Sequence, residues 1–291
     1  MSTQKKEHVT MKNSSIFLAG TAIVASIFAN AEESKNLVVN GNAVDGLNNW
    51  KNIQRVVDGG PDGAKCFEVT GSKLVSSQEF IPVDANCEYQ LTGWFKSGND
   101  KKNQVFMGLL LLNENKCPID SISVNVLAQS ETVTGGAKKG ETVIIVKDAS
   151  TWQPLFQKKQ LTIVFDADDS GEYMDLPNYK YYTVNKLEKK DGIWEATIAR
   201  PLASCFAAET KVRAHFTSGF YMYVFTMKDN FAGWTKCGGT INPIVKSGAP
   251  KSTFWPGTKY VQILILANWG QKDGETLQFG NISLEKVESK K

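Results

Sequence analysis

Tyr89-Gln90-Leu91-Thr92-Gly93-Trp94-Phe95-Lys96 alternates without a break. In an extended chain Tyr89, Leu91, Gly93 and Phe95 fall on one side, and Gln90, Thr92, Trp94 and Lys96 on the other. A period of two predicts a strand with one buried face. Residues 105–112, 121–126, 142–146, 161–165, 194–198, 221–226, 260–266 and 276–284 share its enrichment in β-branched and aromatic side chains. Turn chemistry separates these runs at Asp58–Gly63, Ser97–Asp100, Asp191-Gly192 and Asp273-Gly274. Beyond the first 31 residues helix signals are scarce, and no window with apolar residues at i, i+3, i+4 and i+7 is convincing. Short strands with Gly/Asp turns predict an all-β sandwich or barrel. Asp191-Gly192, between two alternating runs, predicts a hairpin.

The 291 residues are enough for one large domain or two small ones. Hydrophobic residues make up 42%, charged residues 22% and aromatics 10%, a globular composition. Lys and Arg number 33 against 30 Asp and Glu, a net charge of +3. That near-neutrality argues against nucleic acid as a partner, because phosphate binding wants a dense basic face. Only His8 and His215 are present, which excludes His-rich metal sites. Cys66, Cys87, Cys117, Cys205 and Cys237 form no C-x-x-C pair, and an odd number leaves at least one thiol unbridged.

Residues 1–31 have the form of an export signal. Lys5, Lys6 and Lys12 precede an apolar stretch from Ile16 to Phe28, and Ala29-Asn30-Ala31 is a small-x-small cleavage sequence. The apolar stretch is shorter than the about 20 residues a membrane span needs. The expectation is a secreted, periplasmic or cell-surface protein with no membrane span after cleavage. Cleavage after Ala31 removes His8 and leaves His215 as the single histidine.

Asn36-Leu37-Val38-Val39-Asn40-Gly41-Asn42, followed by Asp45-Gly46-Leu47-Asn48-Asn49-Trp50, resembles the opening strand of carbohydrate-binding modules of the family 4/9 type. The pattern continues through Phe80–Val83 and Cys87–Lys96. It ends in Gly233–Lys236, Pro256–Ile263 and Leu277–Glu285. Together these motifs cover 32–127 and 219–291. The resemblance implies a jelly-roll β-sandwich of the galactose-binding-like kind, which hosts several functions. Residues 128–218 interrupt it and resemble a small inserted β-barrel-like domain. Such an insert is tolerated where its ends lie close together at the surface.

A sugar-binding face needs flat rings for the pyranose C–H faces and amides or hydroxyls for the hydroxyl groups. Trp94, with Gln90 and Lys96 on its polar strand face, is the first candidate. Tyr260 and Gln262 share a face of the 260–266 run and would line one groove with Trp94 if the two strands pair in one sheet. Trp269 and Asn268 sit on a loop beside Gly270. Trp50 and Trp234 are expected in the core, as are Trp152 and Trp194 within the insert. The face of Tyr221, Tyr223 and Phe225 suits core and ligand equally.

The resemblance also implies a structural calcium position. Asn42 and Asn281 stand where carboxylates are usual, so a site there is weak. The Asp166–Glu172 loop begins like an EF-hand loop, but Pro177 stands where the bidentate Glu belongs. No G-x-S-x-G, phosphate loop or carboxylate-strand motif of a glucanase is present, and no other cofactor is implied. The leading expectation is a non-catalytic, exported protein that binds poly- or oligosaccharide. The alternatives are a structural or adhesive surface protein that binds protein partners, and an enzyme acting on glycosidic bonds.

Overall fold

The computed structural model describes residues 35–157, 160–271 and 274–288, which belong to one compact unit. The expected export signal, residues 1–31, lies outside the described residues. Among the described residues the strands are β1 (Trp50–Lys51), β2 (Arg55–Asp58), β3 (Lys65–Thr70), β4 (Lys73–Ser77), β5 (Ile81–Pro82), β6 (Tyr89–Ser97), β7 (Asn103–Leu112), β8 (Val126–Thr132) and β9 (Val143–Val146). They continue as β10 (Leu161–Phe165), β11 (Tyr181–Lys190), β12 (Ile193–Ile198), β13 (Lys211–Phe216), β14 (Met222–Asp229), β15 (Thr235–Ile241), β16 (Tyr260–Ala267) and β17 (Thr276–Lys286). The chain is mostly β, as its alternation predicts.

Three sheets form. Sheet I runs β1-β4-β16-β7-β14, with β5 paired to one end of β16. Sheet II runs β15-β6-β17-β3-β2. Their inner faces share one core: Leu91 and Phe95 from β6 and Phe279 from β17 meet Met107 and Leu109 from β7 and Ile263 and Ile265 from β16. All of these are fully buried, so the alternate residues of each strand must point away from the sandwich.

Sheet III runs β8-β13-β10-β11-β12-β9 and is drawn from residues 126–216. It surrounds a separate core that includes Trp152, Ile163, Phe165 and Trp194. Its β8 and β9 sides meet at an isolated antiparallel bridge between Val133 and Val146, without a continuous ladder that closes a barrel. The Asp191-Gly192 hairpin joins β11 to β12, with φ of 49° and 86° at the two residues. Both angles are positive, as a type I′ turn requires.

Residues 121–126 are not a strand throughout. Ser121–Val124 forms one helical turn, α1. The Asp120 carboxylate accepts from the Ser123 N–H, and the Ser123 hydroxyl donates to the Asp120 carbonyl. This capping of the turn outweighs the β preference of Ile122 and Val124. All five cysteines are unpaired.

Candidate functional site

The register of sheet I lays its outward side chains in rows. One row is Leu74–Leu266–Phe106–Thr226, and the next is Ser76–Leu264–Gly108–Tyr223. A third pairs Gln262 with Leu110, and the fourth is Pro82–Tyr260–Leu112. From Tyr260 to Leu266 the face is roughly 20 Å long at the usual strand rise. None of these positions carries a carboxylate.

The outer face reads as a trough from the burial of its floor. Leu264 and Leu266 point outward yet are only 6% and 4% accessible, so their neighbours overhang them. β14 supplies one rim. Its register slips between Tyr223 and Phe225, and a bulge bends a strand out of the sheet plane. A Cβ on Gly108 would lie 2.0 Å from the Met222 carbonyl oxygen, so the backbone of β14 occupies that space. The bulge also separates two residues that strand parity places together. Tyr223 faces outward against Phe106, ring centroids 5.4 Å apart, while Phe225 stacks on core Phe95. Tyr221 packs 4.3 Å from Tyr223, and burial pushes its phenol well above the usual tyrosine range.

Polar groups punctuate the trough. The Gln262 amide nitrogen donates to the Ser77 and Gln78 carbonyls, which fixes the side chain on the face. Trp269 is 49% exposed at the Leu266 end, and its backbone N–H donates to the Gln104 carbonyl. Phe80 is exposed at the other end, near Tyr260.

Trp94, Gln90 and Lys96 lie elsewhere. Their strand, β6, belongs to sheet II, so Trp94 does not share a groove with Tyr260 and Gln262. Both strands give their other face to the common core, and their outer faces look in opposite directions. The outer face of sheet II is a polar lattice. Arg55 donates to Glu68, Gln278 donates to the other Glu68 oxygen, and Thr240 donates to Gln90. The expected core position of Trp234 is corrected as well. Its indole N–H donates to the Gly59 carbonyl, and Lys96 lies 6.0 Å from its ring. Trp50, Trp152 and Trp194 are buried as expected.

Asn268 is also removed from the candidate surface. It is fully buried, its amide nitrogen donates to the Gly71 and Glu275 carbonyls, and its oxygen accepts from Asn103. The amide is consumed in tying β16, β7 and β17 together. Its positive φ of 54° turns the chain so that Trp269 faces solvent.

Asn42 and Asn281 line one cavity of about 350 Å³ with Asn36, Asn40, Ser283 and Glu285. The donors do not fit calcium. The Asn40 oxygen accepts from Asp45, the Asn42 oxygen from Val44, and the Asn36 oxygen from Val38 and Leu284. The Asn40 nitrogen donates to the Gly46 and Asn48 carbonyls. Glu285 is the single carboxylate lining it, and it takes the Ser283 hydroxyl. Calcium takes six to eight oxygens, with carboxylates supplying charge. Here amide hydrogen bonds hold the loop.

The acidic loop is likewise accounted for. Asp166 pairs with Lys180, Asp169 with Lys211 and Glu172 with Lys246. The Met174 and Ser170 N–H groups hold the Asp168 carboxyl below the usual carboxylate range. His215 is fully buried, and burial pushes its ring down to about 4. The neutral ring donates from Nδ1 to the Ile122 carbonyl and accepts at Nε2 from the Arg213 guanidinium. Arg213 is itself 1% exposed and paired with Asp175. This is a structural network.

The molecule is thus a mostly-β protein of sandwich-like sheets with an aromatic trough on one outer face. No family model matches the chain, and no curated protein matches it in sequence. Among solved structures, one described as "Family 16 Carbohydrate Binding Module-2" is similar over 87% of this chain and 100% of its own, with 13% identity and a TM-score of 0.33. An arabinose-bound GH51 α-L-arabinofuranosidase is similar over 88% of this chain and 27% of its own, with 10% identity and a TM-score of 0.37. Both likenesses are loose, and the function proposed below rests on the geometry of the trough. Among the described residues no helix is long and apolar enough to cross a membrane.

Proposed function

We propose that this is an exported, non-catalytic carbohydrate-binding protein, and that its glycan lies along the outer face of sheet I. The trough carries the proposal: half-buried Phe106, Tyr223 and Tyr260 beside the fixed amide of Gln262, over a leucine floor. Aromatic faces in this setting stack on pyranose C–H groups, and little side-chain entropy is lost on binding because neighbouring residues already hold the rings. Gln262 and the Tyr223 hydroxyl supply directional polar contacts. Bond cleavage would need two carboxylates facing the sugar, and the rows of the trough hold aromatic, aliphatic and neutral polar side chains.

Affinity electrophoresis against a panel of plant, algal and microbial polysaccharides tests the proposal. The native protein is expected to be retarded by at least one of them. The Phe106→Ala/Tyr223→Ala double variant, folded by circular dichroism, is expected to migrate freely. A folded native protein that no polysaccharide retards would refute the reading.

A further inference from the structure

At the Tyr260 end of the trough the exposed Lys116 lays its ammonium against two rings. The turn Asn113–Cys117 leaves β7 beside Tyr260, and its geometry is set by hydrogen bonds. Asn113 accepts from Lys116 at its carbonyl and from Asn115 and Cys117 at its side-chain oxygen. The Asn113 amide nitrogen donates to the Tyr179 hydroxyl, which ties the turn to the segment before β11. Lys116 is held at φ 59°, a left-handed conformation unusual for a side chain of its size. From there its ammonium sits 5.1 Å from the Phe80 ring centre and 5.4 Å from that of Tyr260.

Among the described residues the Lys116 ammonium has no carboxylate within ion-pair distance. Lys180, Lys186, Lys190, Lys211 and Lys246 each pair with an acid, whereas Lys116, like Lys65 and Lys96, pairs with none among the described residues; what sets Lys116 apart is its place between two rings. Two rings orient a cation without neutralising it. A positive charge against two rings at the end of a sugar-length trough is suited to a negative charge on the ligand.

We infer that Lys116, between Phe80 and Tyr260, forms an anion-reading subsite, and that the trough takes a glycan bearing acidic sugars. This rests on the glycan-binding reading of sheet I and specifies its ligand class. The near-neutral net charge of the chain does not oppose it, because the selecting charge is local. The anion is a ring carboxylate or a sulfate ester, since both pair with an ammonium.

The experiment separates the two sources. Binding is measured by calorimetry to polygalacturonate, alginate and glucuronoxylan, each against its carboxyl-reduced product. A sulfated galactan is measured against its desulfated product. At least one charged polymer is expected to bind roughly tenfold tighter than its neutralised form. Added salt is expected to shrink that ratio, and Lys116→Gln to bring it close to one. Lys65→Gln, an exposed charge on sheet II, is expected to keep it. A preference confined to one series identifies carboxylate or sulfate. Neutral and charged polymers binding alike, or a ratio untouched in Lys116→Gln, overturns the subsite while leaving the trough reading intact. No binding to any of these polymers overturns the subsite, and no retardation by the wider electrophoresis panel as well overturns both.

Discussion

The outer faces of sheets I and II come from strands of the same alternating kind, yet they hold different chemistry. On sheet II the outward polar groups satisfy one another: Glu68 gathers Arg55 and Gln278, Gln90 takes Thr240, and Trp234 is tied to Gly59. On sheet I rings lie over a leucine floor, and the polar groups are few and fixed. A network already satisfied has little to offer a ligand, whereas a preformed apolar trough with a few directional amides does. An exposed tryptophan among polar residues is therefore a weaker sign of a binding face than rings that share a curved sheet.

Glycine substitutions should separate the two faces most sharply. At Gly108 a Cβ would meet the Met222 carbonyl oxygen at 2.0 Å, and the backbone must move. Gly108→Ala is expected to cost about 3 kcal/mol in urea unfolding and to flatten the trough. At Gly280 on sheet II a Cβ would meet Cys66 and Pro61 at 3.6 and 3.7 Å, ordinary contact distances. Gly280→Ala is expected to stay within about 0.5 kcal/mol. Equal effects would remove the bulge of β14 from the account.

A comparable loss, located in sheet III rather than on either face, should appear with acid. The neutral state of His215 favours the fold fully above its unfolded value near 6.5. As pH falls toward about 4 the unfolded chain takes up a proton that the folded ring refuses, and stability drops by roughly 3 kcal/mol. His215→Gln should lower stability at pH 7 and flatten this part of the pH profile. A native profile level from pH 7 to 4.5, or one with the same slope in the variant, would contradict the assignment.

Glu68→Ala on sheet II should cost less, about 1–3 kcal/mol, because it strips Arg55 and Gln278 of their acceptor. Its glycan affinity should match the native protein's. Coupled losses of stability and affinity would mean that the sheet II lattice belongs to the binding surface.

Much of this was legible in the alternation. The β6 and β16 core residues, the β11–β12 hairpin and the scarcity of helix follow from period and turn chemistry. Which sheet each strand joins does not, since pairing is set by partners far along the chain. That is why a groove shared by Trp94 and Tyr260 stays conditional on their strands pairing until those strands are placed. Phe106 is hidden within a run, Val105 to Leu112, that is apolar on both faces. Tyr223 and Phe225 look like neighbours because a bulge has no signature in those residues. Asn268 reads as a loop amide free for ligand, and only its buried partners show otherwise.

The central claim is that glycan binds the sheet I face rather than the sheet II face, and calorimetry on a retained polysaccharide tests it most directly. Tyr223→Ala should weaken affinity roughly tenfold or more, while Trp94→Ala should stay within about twofold of the native protein. A loss confined to Trp94→Ala, with Tyr223→Ala unchanged, would place the site on the opposite face and contradict the account.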